Sequence, residues 1–236
     1  GSILLFFLLF VSFIAILGYL IVPDSTPYAN EQILEIRLQK PTTQISMLCV
    51  RKNQIVEKQN FVKKMLFGQQ STHRLIPISS YRFSRDSIIV ERYQEIPPYN
   101  ISGFSLAEVV YPILNHSITY YDGTTVHFTD IDSNKYAIPV ISLQKIIEEK
   151  HFVKKKYWLG TDRYGRDVLS QLIIGTRVSL SVGFISVSIA LLIGVLLGSI
   201  AGYYRGFIDD AIMWFINVVW SIPTLLLVIA ISFALG

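Results

Sequence analysis

The sequence predicts a mainly α-helical membrane protein, with three transmembrane helices and an inserted soluble α+β domain. Three observations predict it. Ile3–Val22 and Val178–Tyr204 run for 20 and 27 residues without a charged side chain, and about 20 apolar residues suffice to cross a hydrocarbon core of roughly 30 Å. Charge is sparse, at 16% of residues, and concentrated: residues 24–157 hold 17 Lys and Arg and 13 Asp and Glu, against 4 and 4 elsewhere. That charged middle also carries strand candidates, a hairpin and an amphipathic helix.

Residues 1–23 form the first segment. An uncleaved membrane helix is expected there rather than a secretory signal, because the start is not basic, the apolar run exceeds the usual signal length, and no small-x-small cleavage site follows. Pro23 ends it, and Asp24-Ser25-Thr26-Pro27 leads into water.

Residues 24–157 form the insert. Gln32–Leu38 alternates weakly, Ile45–Val50 is a short apolar run, and Phe61–Phe67 suits either helix or strand. Ser87–Tyr93 reads as a strand. Ile118–Thr129 reads as a hairpin, with β-branched and aromatic residues flanking Asp122-Gly123. A second turn at Asp132–Lys135 precedes Tyr136–Ile141, and Ser142–Lys150 reads as a short helix capped by Ser142. Cys49 is alone, so no internal disulfide is available and the insert depends on its own core.

Nothing in the insert points to catalysis. His73, His116, His127 and His151 are scattered without metal-ligand spacing. Asp130, Asp132 and Asn134 resemble the start of a calcium loop but lack its glycine and distal glutamate. The basic residues show no stripe interleaved with aromatics, so nucleic acid is not an expected partner. Lys154-Lys155-Lys156 before Tyr157-Trp158 suits either contact with lipid headgroups or a solvated charge run.

Residues 158–177 carry a polar, glycine-punctuated motif: Gly160-Thr161-Asp162-Arg163-Tyr164-Gly165-Arg166-Asp167. Its glycine spacing imitates a phosphate loop, but Arg166 replaces the required lysine and Asp167 the hydroxyl that meets Mg²⁺, so nucleotide binding is excluded. After Asp162 or Thr161 as cap, Arg163–Ile174 is expected to form an amphipathic helix on the outer surface, leading through Gly175 into the second span. Asp162, Arg166 and Asp167 are expected to pair, with Arg166 the central donor.

The second span covers residues 178–204. Ser186, Ala190, Gly194, Gly198 and Gly202 recur every fourth residue and make one narrow ridge, suited to close helix packing where apolar burial gives no driving force. Tyr203–Asp210 reads as a polar turn. Within residues 205–236, Ala211–Leu235 reads as a third span that Pro223 kinks or breaks.

These residues carry a resemblance. The run GTDRYGRDVLSQLIIGTRVSLSVG, then GSIAGYYRGFIDD and a helix containing SIP, is similar to the inner-membrane permease subunit of bacterial dipeptide and oligopeptide ABC importers. Gly160, Thr161, Asp162, Gly165, Arg166, Asp167, Ser170, Gly175, Arg177, Ser179 and Leu180 fit that family's pattern, over about the last 80 residues plus the first helix. The resemblance implies a second permease subunit, two ATPase subunits carrying ATP and Mg²⁺, an extracytoplasmic peptide-binding protein and membrane lipid as partners. It implies no catalysis and no cofactor or metal in this chain. It further implies an inner-membrane location with residues 24–177 outside the cytoplasm, and transport by alternating access. The family's cytoplasmic E-A-A…G loop is not in these residues, so the chain is expected to correspond to the N-terminal half of a six-span subunit. A membrane-anchored sensor and a structural accessory subunit are the competing readings.

Overall fold

A computed structural model describes residues 1–57, 59–94, 100–113 and 119–235. His116, Ile118 and Gly236, named above, lie outside them. The chain divides into two compact units, residues 1–178 and 179–236.

The first unit opens with α1, Ser2–Ile21, whose apolar side chains are largely exposed. Two short 3-10 turns follow, at Pro27–Ala29 and Leu34–Ile36, where the sequence suggested weak alternation. The strands then come as β1 (Thr43–Arg51), β2 (His73–Ser84), β3 (Ser87–Arg92), β4 (Ile101–Ser105), β5 (Tyr120–Tyr121), β6 (Thr125–Thr129), β7 (Lys135–Pro139) and β8 (Phe152–Tyr157). Between them lie α2 (Phe61–Phe67), α3 (Leu106–Val110) and α4 (Val140–Lys150). The antiparallel order β4-β3-β2-β1-β8 makes a five-stranded sheet, and β5-β6-β7 a three-stranded one.

Strand β1 shows how alternation builds two cores. Leu48 and Val50 join Ile76, Ile88 and Val90 on one face, against Leu106 of α3, Val126 of β6 and Leu143 and Ile147 of α4. Ile45 and Met47 turn to the other face, where they meet Ile33, Ile36 and Tyr157. Each such aliphatic side chain contributes about 1.5–3 kcal/mol on full burial. The second core matters here, because it fastens the sheet to the segment leaving α1. Cys49 sits beside it; burial above all, with the charge of Glu31 adding and Lys155 opposing, pushes its thiol up to about 11, which disfavours the thiolate at neutral pH.

Two expected caps move. Helix α4 begins at Val140 rather than Ser142 and carries no side-chain cap, because Pro139 pre-sets the entry and Val140 N–H bonds back to the Thr124 carbonyl. The separate surface helix from Arg163 is not formed. Instead α5, Val168–Tyr204, runs unbroken through Gly175 for 37 residues, about 56 Å at ~1.5 Å per residue. Residues 163–167 stay out of it because the Asp162 carboxylate accepts from the amides of Tyr164 and Arg166, which holds them in a turn.

In the second unit only Arg205 and Gly206 separate α5 from α6, Phe207–Ser221. Both have positive φ, and Asp209 and Asp210 fall in the first turn of α6, the favourable end of its dipole. Helix α7, Thr224–Leu235, follows an 82° bend at Ile222-Pro223. By length and composition α1 and α5 each suffice to cross a membrane, and α6 with α7 makes a third span only if the bent pair is counted as one.

Candidate functional site

The motif packs against the chain that leaves α1, and each of its residue types has a reason. Gly160 has φ +77° and Gly165 φ +73°; a Cβ on the first would stand 2.2 Å from the Gln39 carbonyl oxygen, and on the second 1.8 Å from that of Ile33. Glycine is therefore required twice, for conformation and for backbone contact. Between them buried Thr161 accepts from Gln39 N–H at 2.8 Å and donates to the Ile36 carbonyl through its hydroxyl. Leu38 N–H donates to the Asp162 carbonyl at 3.0 Å.

Asp162 organises the turn. One carboxylate oxygen accepts from Tyr164 and Arg166 N–H at 2.8 and 3.0 Å. The other takes Nε and Nη2 of Arg166 at 2.8 and 2.6 Å, and Arg166 Nη1 reaches Asn30 Oδ1 at 3.2 Å. Burial pushes the Asp162 carboxyl up, but the Arg166 side chain and the two amides outweigh it and hold the pKa below the ordinary value. Stability from such a group is present above the unfolded pKa, about 3.9, and is lost as pH falls through the folded one. Asp162→Asn is therefore expected to lower the melting midpoint at pH 7, with the gap to wild type closing below about pH 4. A gap independent of pH would contradict this.

Asp167 does not pair with Arg166, contrary to the expected triad. It is buried and caps α5, accepting from Ser170 N–H at 3.1 Å and from the Ser170 hydroxyl. The N-cap is thus Asp167, not Asp162 or Thr161. Ser170 Oγ in turn accepts from Asp24 N–H at 3.0 Å, across 146 positions of sequence. Asp24 spends both its oxygens on the backbone, on Thr26 and Glu31, and Gln171 donates to the Ala29 carbonyl at 3.1 Å. The exit of α1 and the entry to α5 are latched together.

Arg177 closes the lower side. Its Nη1 donates to the Met65 carbonyl at 2.8 Å, near the end of α2, and its guanidinium lies 5.5 Å from the Tyr19 ring centre. Helices α1 and α5 meet closely there: a Cβ on Gly18 would lie 3.2 Å from Ile174 Cδ1. In the second unit, Ser186, Ala190, Gly194, Gly198 and Gly202 are exposed, and a Cβ on any of these three glycines would meet nothing within 4 Å. Pro223 stands at the bend between α6 and α7.

The motif residues were legible in sequence, but their partners were not. Asp24, Asn30, Ile33, Ile36 and Gln39 looked like an exit linker. The one available signal was Asp24-Ser25-Thr26, an acidic residue followed two positions on by a hydroxyl, which here forms a turn through Thr26 N–H and Oγ1.

Among known proteins, the chain is 44% identical over 80 residues to the glutathione transport system permease protein of Pectobacterium atrosepticum, covering 34% of this chain and 27% of that one. It is 48% identical over 75 residues to the dipeptide transport system permease protein of Haemophilus influenzae, covering 32% and 25%. It is 38% identical over 81 residues to the oligopeptide transport system permease protein of Bacillus subtilis, covering 34% and 27%. The resemblance to peptide-importer permeases therefore holds over about a third of the chain, and the chain matches about a quarter of the length of these relatives. No family model matches it, and no solved structure does.

Proposed function

We propose that this chain is part of the membrane path of an ATP-driven importer for peptides or related small solutes, in a bacterial inner membrane, with residues 24–177 on the extracytoplasmic side. The similarity to permeases carries the reading. The latch adds a physical reason for the motif: it ties α1 to α5 where the chain leaves and re-enters the membrane. Alternating access requires two states with different contacts, and elements tied in this way move as one body. The ridge from Ser186 to Gly202 is a surface for a partner helix, and the break at Pro223 lies where a discontinuous helix can line a path. ATP hydrolysis belongs to two partner ATPase subunits, and a second permease and a peptide-binding protein complete the assembly.

The test is isolation of the complex from native membranes through an affinity tag on this protein. ATPase subunits and a second permease are expected to co-purify, and peptide-loaded binding protein is expected to raise ATP hydrolysis. A tagged protein that purifies without ATPase subunits would sink the proposal.

The sheet domain is proposed as a docking cap for the binding protein or the partner permease. Its attachment allows a clean test. Met47 and Val153 are cross-strand partners in the β1–β8 pair. Replacing residues 48–152 by Asn-Gly therefore leaves a short hairpin that keeps Ile45, Met47 and Tyr157 against Ile33 and Ile36. Stimulation of ATP hydrolysis by binding protein is expected to fall about tenfold or more, equivalent to ~1.4 kcal/mol of coupling, with assembly intact. Unchanged stimulation would leave the domain without a docking role.

A further inference from the structure

Helix α2 has only seven residues, and helices shorter than about 12–15 residues are marginal in water unless an apolar face is packed. Yet its apolar side chains are bare among the described residues: Phe61 is 67% exposed, Val62 59% and Leu66 40%. At about 3.6 residues per turn, Val62 and Leu66 share one side with Phe61 next to them, and Lys64 stands opposite. Lys64 turns to the cavity at the foot of the sheet, whose floor is Met47, Leu75 and Val153. The bare face therefore points away from the sheet domain.

The ends of two apolar runs fix the level at which α2 sits. Gly68, just past its end, packs on α1: a Cβ there would stand 2.8 Å from Tyr19 Cε1 and 2.7 Å from the Ser25 carbonyl oxygen. Gln69 N–H donates to that same carbonyl at 2.9 Å. From the other side, Arg177 holds the Met65 carbonyl and lies over the Tyr19 ring. Tyr19 is near the end of the charge-free run Ile3–Val22, and Arg177 immediately precedes the run Val178–Tyr204. Both runs thus place α2 at one boundary between apolar and polar surroundings. The Tyr19 hydroxyl fits that level, since it accepts from Tyr28 N–H at 3.0 Å while its ring stays among apolar groups. The outward side chains of α1 remain apolar up to this boundary, at Phe13, Ile16 and Leu20.

We propose that α2 is an interfacial membrane anchor, with Phe61, Val62 and Leu66 seated in lipid where headgroups meet acyl chains. Lipid is the occupant because the face continues the apolar surface that α1 offers to the bilayer, at the same level. The sheet domain is then held to the membrane surface at a second point beside the exit of α1 and cannot swing about that exit. This rests on α1 and α5 lying in a membrane and not on the transport reading.

The test places the whole protein, with Cys49→Ser, in phosphatidylcholine vesicles and reads single nitroxide labels by electron paramagnetic resonance. Oxygen serves as the relaxant that enters lipid, and a neutral nickel chelate as the one that stays in water. Labels go to Val62→Cys and Leu66→Cys on the bare face, and to Phe13→Cys on α1 as the lipid reference. Ile101→Cys is the water reference: it is exposed and apolar, on the sheet edge farthest from β8. The labels at Val62 and Leu66 are expected about 5–10 Å below the headgroup phosphates, relaxed by oxygen more than by the chelate, with the order reversed at Ile101. Labels as open to the chelate as that at Ile101 would put the face in water. Labels shielded from both relaxants would put it against protein, a second copy or another subunit. Either result overturns the proposal, as does a water-exposed label at Phe13. Hydrogen exchange of the unlabelled wild type in the same vesicles gives a reading free of substitutions: the α2 amides are expected to be protected, and immediate exchange would also overturn it.

Discussion

Gly165→Ala is expected to cost at least about 4 kcal/mol, enough to melt the junction between the sheet domain and the membrane helices. The added Cβ would stand 1.8 Å from the Ile33 carbonyl oxygen, and the atoms it meets are backbone. Relief therefore requires moving the segment that holds Ile33 and Ile36 in the second core. The residue also has φ +73°, where alanine is strained. Gly175→Ala is the internal control. That glycine also fits the family pattern, but it lies inside α5 with nothing within 4 Å, and alanine there is expected to be neutral or to gain up to about 1 kcal/mol. Thermal melting of the two variants in detergent checks the pair; equal midpoints would contradict the contact.

Asp167→Ala is expected to be the next most damaging change, at about 3 kcal/mol. Losing an N-cap costs roughly 0.5–2 kcal/mol, and each buried donor left unpaired adds about 1–3 kcal/mol. Asp167 and Ser170 are both buried, so water does not freely replace the carboxylate. Ser170→Ala leaves the Asp24 amide unpaired and takes one of two donors from the Asp167 carboxylate, which keeps the backbone amide of that position, and should cost somewhat less, with the double variant far below the sum because the two act as one unit. Hydrogen exchange gives the sharper readout: protection of the Asp24 amide should vanish in Ser170→Ala. Retained protection would show that Ser170 is not its acceptor.

Local pattern made much of the fold readable. Helix α1 ends within two residues of Pro23, and β1, β3 and the Asp122-Gly123 hairpin fall on their apolar and β-branched runs. Strand β2 escaped because Pro77 interrupts it. The strand tolerates proline there since its ladder with β3 begins only at Ile78, with an irregularity before Ser80. Strand β8 escaped because three lysines read as a charge cluster; they sit on the edge strand of the sheet, where lysine discourages pairing with other chains. The latch was half legible. Its glycines and carboxylates stood out, whereas their partners lie more than 100 residues away and are mostly backbone atoms, which no side-chain pattern records.

Solute uptake into proteoliposomes bearing the complex isolated through this protein tests the central claim most directly. With peptide-loaded binding protein outside and ATP inside, labelled dipeptide is expected to accumulate. Uptake should cease without ATP, fall at least about tenfold with Gly165→Ala, and persist with Gly175→Ala. Uptake indifferent to ATP, or unchanged by Gly165→Ala, would contradict a permease whose helices are held by this latch.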